Sequence, residues 1–262
     1  MTARPSSGRP TEREKIMSDK IKILYLAANP LDTGHLRLQE EARDLQERIR
    51  QSTRREDFEV IHLLAVRPKD LLRGLQEIQP HVIHFSGHGN YDKQIVLQDD
   101  SGQSCPVAPE DLAQLVSLFS TNLKVALMSC CYGRTQAEAL RRILDFTIGM
   151  DEPISDEGAL SFSAAFYQVL ASGGSIRQAF EAARLLTRME GRPVFNVSDL
   201  LVREGAEDKL NEPFINVLPP RPGNADAPVR RNQATTNLNN SDAGVVTTVA
   251  GDGTRINNKV GR

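Results

Sequence analysis

The sequence predicts an α/β protein built as a three-layer sandwich, with a mostly parallel central sheet and helices on both faces. Continuous aliphatic runs such as "IKILYLAA" (21–28) and "KVALMS" (124–129) have the character of strands covered on both sides. Longer amphipathic stretches alternate with such runs from Ile21 to Val217. Strict alternation implies right-handed strand–helix–strand crossovers, and hence a largely parallel sheet. A chain of 262 residues is long enough to bury a sizeable core.

The elements follow in order. "IKILYLAA" is the first strand, and "NPLDTG" ends it with turn-forming residues. The segment from His35 to Ser52 places Leu38, Ala42, Leu45 and Ile49 on one helical face. A second strand spans Phe58 to Val66, and a second helix Pro68 to Gln79 opens with proline in its first turn. "HVIHFS" is the third strand, followed by an excursion, Lys93 to Gln103, holding a short strand and a Ser-Gly turn. "APEDLAQLVSLFS" is a third helix, "KVALMS" a fourth strand, Arg134 to Leu144 a fourth helix, and "FTIGM" a fifth strand. Two further helices, parted by Gly173 and Gly174, precede "PFINVL" (213–218), which has the look of a last strand.

Both ends differ in character. Residues 1–19 are rich in Pro, Ser, Gly and charge, and predict a disordered extension in which Met17 is an alternative start. Residues 219–262 form an Asn/Gly-rich tail, with seven Asn, five Gly and no aromatic residue from Arg221 onward, too polar to supply a core. Its composition predicts disorder. Within it, "VVTTV" and "TRINNKV" are β-prone and flank a Gly-Asp-Gly turn, the alternative being an assembly segment that stacks in cross-β ladders.

Composition excludes several classes. A net charge of −2 gives no basic surface for nucleic acid. No apolar run approaches the roughly 18 residues that span a bilayer, and the first residues lack a secretion signal's apolar stretch, so a cytoplasmic location is expected. Three cysteines, two of them adjacent, make no disulfide framework and no zinc spacing, so neither metal nor cofactor is expected. "AANPLDTG" after the first strand matches neither common phosphate-binding loop.

Chemistry concentrates at two strand ends. "HVIHFSGHGN" closes on His88 between two glycines, and "KVALMSCCYG" breaks at Cys130 and Cys131. In parallel sheets, sites form at the carboxyl ends of strands. If these two strands are neighbours, an imidazole and a thiol share one crevice. A thiol attacks a carbonyl usefully as thiolate, which a nearby imidazole generates, and backbone N–H groups in a glycine-rich segment stabilise the resulting oxyanion. A tight "SGHG" turn would drive the imidazole out of the strand ladder, and a helix starting after the thiols would favour negative charge there. Taken alone, His88 is an ordinary turn histidine; the paired cysteine gives it a task. His81 and His84 suit packing or surface roles of the strand.

These motifs together resemble the CHAT domain, a bacterial branch of the caspase-like (clan CD) cysteine peptidases. "ILYLAANPLDTGHLRLQEEARDL" is similar to the family's opening strand and helix, "HFSGHG" to its histidine motif and "VALMSCCYG" to its cysteine motif. The segment from "TIGMDEP" to "IRQAFEAAR" is similar to its next strand and paired helices. The resemblance implies a caspase-like sandwich with His88 as the catalytic imidazole, Cys131 as nucleophile, and an oxyanion hole from the N–H groups of Gly89 and Cys131. Cys130 stands where the family more often has alanine, and adjacent residues of a strand point oppositely. Ser129 stands where Asn, Gln or Asp is commoner, at a position that contributes to the pocket for the residue preceding the cut.

Asp32, Asp151, Glu152 and Asp156 lie in loops at strand ends and are candidates for an acidic pocket. Their plainer role is as solvated carboxylates and helix caps, Ser155 and Asp156 both sitting where an N-cap is wanted. The resemblance implies an endopeptidase that cuts a protein partner, an effector in bacterial defence or regulated cell death; separately, Asp242 to Arg262 weakly resembles Asn/Gly-rich amyloid signalling motifs, which would recruit it to a sensor protein carrying a like motif. The alternative is a catalytically idle scaffold binding a partner in the same crevice.

Overall fold

The computed structural model describes residues 20–150, 155–192 and 198–217. The expectations for 1–19, including Met17, for Asp151 and Glu152, and for the tail 219–262 lie outside the described residues.

The chain opens with β1 (Ile21–Ala28), α1 (Leu38–Gln51), β2 (Phe58–Leu64) and α2 (Pro68–Arg73), the last continuing as a π turn through Ile78. Then come β3 (Val82–Gly89), a hairpin of β4 (Ile95–Gln98) and β5 (Ser104–Val107), α3 (Pro109–Leu118), β6 (Val125–Ser129), α4 (Gly133–Leu140) and β7 (Phe146–Met150). α5 (Asp156–Ala171), α6 (Ile176–Met189), β8 (Ser198–Val202), a 3-10 turn at Glu207–Asn211 and the single-turn α7 (Phe214–Val217) complete it. The sheet order is β2-β1-β3-β6-β7-β8, with the β4–β5 hairpin attached to β3. All neighbours from β2 to β7 along this order are parallel, and β8 is antiparallel to β7. The expected α/β sandwich is therefore what the chain builds.

Strand alternation sorts side chains between two cores. Ile23, Tyr25 and Ala27 of β1 join Leu45 and Ile49 of α1 and Phe162 and Phe166 of α5 on one face. Leu24, Leu26 and Ala28 join Leu71 and Leu75 beside α2, Leu112 and Val116 of α3, and Leu140 of α4 on the other. Ser155 caps α5 by accepting the Gly158 N–H at 3.2 Å, and Ser175 with Gln178 forms a capping box on α6.

Two local expectations need correction. "SGHG" is not a turn: β3 runs through it, and His88 pairs with Val96 and Gly89 with Ile95 of β4, because the hairpin supplies a ladder partner beyond the parallel sheet. "PFINVL" is not a strand. Phe214 and Val217, three residues apart, both bury against the α5–α6 side of the core, a spacing met by one helical turn. The last strand is instead "SDLLV", on the edge beside β7.

Candidate active site

β3 and β6 are adjacent and parallel, in a register that sets Ser86 opposite Ser129. Past that pair the chains continue to His88 and Cys131, and both line one cleft at the carboxyl end of the sheet. The site thus follows from strand order, as the position rule for parallel sheets requires.

Gly89 makes the junction between the two motifs. A Cβ at this position would lie 1.9 Å from the carbonyl oxygen and 3.0 Å from the carbonyl carbon of Cys131, so only glycine lets the backbones meet. Gly133 plays a like part under the cysteine motif. A Cβ there would lie 2.5 Å from the Met128 carbonyl and 3.1 Å from the Cys130 sulfur, so this position has no room for a side chain. Between them Tyr132 adopts a left-handed backbone at φ 58°, and α4 begins directly afterwards with its N-terminal end toward the thiols.

The two cysteines occupy different environments. Cys130 is buried with Met128 and Leu140 in the core beneath α4, and burial pushes its thiol well above the usual range, with Cys131 adding to the effect. Cys131 is half-buried at the cleft. A thiol that must ionise is better served by the second position.

His88 is oriented from above by the loop after β1. Its Nε2 lies 2.8 Å from the Gly34 carbonyl oxygen and 3.3 Å from Asn29 Oδ1. A carbonyl oxygen only accepts, so Nε2 carries the hydrogen and the neutral ring keeps its lone pair on Nδ1. Asn29 and Gly34 were not singled out from the sequence. Their only signal was membership of the turn "NPLDTG" at a strand end.

Of the pocket residues expected, Ser129 and Asp156 line the cleft. Asp32 is engaged elsewhere: it accepts the Ser104 N–H at 2.9 Å and the Ser104 hydroxyl at 2.8 Å, fastening the β1–α1 loop to β5. Asp156 faces Arg37, whose Nε lies 3.8 Å away and whose guanidinium also pairs with Glu157. The sequence reading missed Glu41. This carboxylate is 2% exposed, lines the cleft from α1, and accepts hydroxyl hydrogens from Tyr25 at 3.1 Å, Ser163 at 2.7 Å and Ser86. His84 is fully buried between Tyr25 and Tyr167, with Nε2 3.5 Å from Glu41. Burial holds its imidazole below the usual range against the pull of Glu41. His84 is thus a neutral packing group, and His81 accepts the Lys22 N–H at 3.0 Å in a structural role.

Among the described residues no group of His, Cys, Asp and Glu is arranged to hold a metal, and no helix is long and apolar enough to cross a membrane.

Comparison with known proteins places these motifs in a wider set. The family model described as CHAT domain matches residues 6–214. The chain is 24% identical over 153 residues to a "Probable protease" of Gillisia limnaea, covering 58% of this chain and 27% of that protein. It is 22% identical over 169 residues to a "Roc-COR-CHAT protease" from an unknown prokaryotic organism, covering 62% of this chain and 16% of that protein. The chain therefore spans between a sixth and about a quarter of these relatives' lengths. Among solved structures, the Arg-specific cysteine proteinase gingipain R superposes with a TM-score of 0.51 at 12% identity, over 75% of this chain and 49% of that one. That likeness concerns the fold.

Proposed function

Since the chain belongs to the CHAT domain family, we propose that it is a cysteine endopeptidase that cuts a protein partner, with Cys131 as nucleophile and His88 as base and then acid. The observation that carries this reading is the shared cleft of Cys131 and His88, with the ring's Nε2–H donated away to Gly34. Such an imidazole has one basic nitrogen left for a thiol. The two relatives, one a probable protease and the other a Roc-COR-CHAT protease, support the same class.

Nδ1 of His88 takes the thiol proton, and the Cys131 sulfur bonds to the scissile carbonyl carbon while the carbonyl π pair moves to oxygen. N–H groups of Gly89 and Cys131 hold that oxyanion. The C–N bond breaks, the imidazolium proton leaves with the amine, and a thioester remains. Water, deprotonated by His88, then displaces the sulfur and releases the carboxylic acid.

We further read the protein as an effector in bacterial defence or regulated cell death. Residues 219–262 would act as an assembly segment recruiting it to a sensor protein. A synthetic tail peptide should convert to dye-binding fibrils; one that stays monomeric at high concentration contradicts that role. For the enzyme itself, candidate partners incubated with wild type should be cut at a defined site. Cleavage should vanish in Cys131→Ala and fall by about 100-fold or more in His88→Ala. Specific cleavage persisting in Cys131→Ala sinks the assignment.

A further inference from the structure

We propose that the cleft beside Cys131 accepts a lysine side chain of the substrate, and that Glu41 is the charge that selects it. The inference rests on the peptidase reading only for where the bond is cut, since the subsite itself is built from groups independent of the thiol.

Glu41 lies on the inward face of α1, in the stripe of Leu38, Leu45 and Ile49, where an apolar residue would be the simple choice. A buried carboxylate is costly unless it meets positive charge, and among the described residues the hydrogen-bond partners of the Glu41 carboxylate are three neutral hydroxyls. Burial holds its imidazole neighbour His84 below the usual range, so His84 brings no positive charge, and Glu41 lines the cleft.

Acceptor arithmetic narrows the ligand. A carboxylate offers about four lone-pair sites. Oε1 accepts Ser163, and Oε2 accepts Ser86 and shares the single Tyr25 hydroxyl hydrogen with the Leu38 carbonyl oxygen, which leaves one site on Oε1. Ser129 adds a second acceptor: its hydroxyl oxygen is buried, the residue is 4% exposed and lines the cleft, and it has no hydrogen-bond partner among the described residues. Ser86 donates its hydrogen to Glu41 and retains oxygen lone pairs for a third. Three single acceptors on one small floor match the three N–H bonds of an ammonium. An arginine fork needs two parallel acceptors on one carboxylate, and here Oε2 already faces the hydroxyls of Tyr25 and Ser86.

The remaining lining agrees. Leu38, Ala159 and Leu160 give apolar walls along which a four-carbon stem can lie. Arg37, the lining residue that could attract an acidic side chain, is shared among Glu40, Asp156 and Glu157.

The test uses full-length Cys131→Ala, so that binding is read without turnover. Fluorescein-labelled Ala-Ala-Ala-Xaa-Ala-Ala peptides with Xaa as Lys, Arg, Leu or Asp are titrated by anisotropy. The Lys peptide should bind about 10-fold or more tighter than the others. Adding Glu41→Gln should abolish that preference, and adding Ser129→Ala should weaken it several-fold. Ser129 has no partner to lose, so its variant keeps the test open should Glu41→Gln fail to fold. Equal affinities, undetectable binding of all four peptides, or an Arg preference overturns the inference. Lysine-selective binding without Cys131-dependent cleavage would leave the subsite standing and remove the peptidase reading. Cys131-dependent cleavage after a different residue would do the reverse.

Discussion

Replacing Gly89 by alanine perturbs the close backbone approach of Gly89 to Cys131 beyond the paired ends of the two strands. The added methyl carbon would sit 1.9 Å from the Cys131 carbonyl oxygen, where non-bonded carbon contacts lie at about 3.5 Å. Relief requires the end of β3 or the Cys131 loop to move by more than about 1 Å. The contacting atoms are all backbone, so no side chain can yield instead. Overpacking of this kind costs about 1–3 kcal/mol of stability, and a misplacement of about 1 Å at a reacting centre lowers rate about 100-fold. Gly34→Ala is the stability control, since a Cβ there meets nothing within 4 Å and its backbone is not left-handed. It should match wild type or gain about 0.4–1 kcal/mol. Urea unfolding monitored by circular dichroism gives the stabilities, and the rate of Cys131 alkylation by iodoacetamide reports the site. Gly89→Ala with stability within about 0.5 kcal/mol of wild type and an unchanged Cys131 alkylation rate would refute the claim that this contact aligns the site.

Other outcomes follow from the same geometry. Asn29→Ala should lower peptidase turnover by about 3- to 10-fold while leaving the pH profile in place, because the Gly34 carbonyl still fixes the His88 tautomer; steady-state kinetics against pH checks this. Cys130→Ala should retain activity and lose about 1 kcal/mol of stability, since its sulfur packs in the core rather than serving the reaction. Asp145 is buried at the start of β7; burial opposes its charge, but Arg203 and Lys209, with Lys209 Nζ at 2.9 Å, outweigh that and hold its carboxyl below the usual range. A depressed folded pKa stabilises above the unfolded value near pH 3.9, and that contribution fades as pH falls through the folded value. Asp145→Asn should therefore cost about 1–3 kcal/mol at pH 7, discounted for its half-exposed partners, and the difference should shrink in urea melts at acid pH.

How much of this was legible beforehand can be judged from particular residues. The meeting of His88 and Cys131 in one cleft was, because each motif ends an aliphatic run with a chemically distinct residue, and parallel sheets gather such ends. The face of Leu38, Ala42, Leu45 and Ile49 was legible from spacing, yet Glu41 on that same stripe was not. Its partners Tyr25, Ser86 and Ser163 come from three elements, up to 122 positions away, and no local pattern announces them. "SGHG" looked like a turn because glycine serves both turns and close approaches. Only the proximity of Cys131 shows which is meant. "PFINVL" has strand-like composition, but burial of Phe214 and Val217 overrides propensity.

The central claim is that His88 activates Cys131, and alkylation tests it most directly. An ordinary cysteine is only about 3% thiolate at pH 7, which leaves up to about 30-fold for an imidazole partner to supply. Wild type and His88→Ala are treated with iodoacetamide at pH 7, and peptide mass spectrometry follows each thiol, with half-buried Cys105 as internal reference. The account predicts that Cys131 reacts faster than Cys105 and slows about tenfold or more in His88→Ala. A Cys131 rate indifferent to His88 would contradict it.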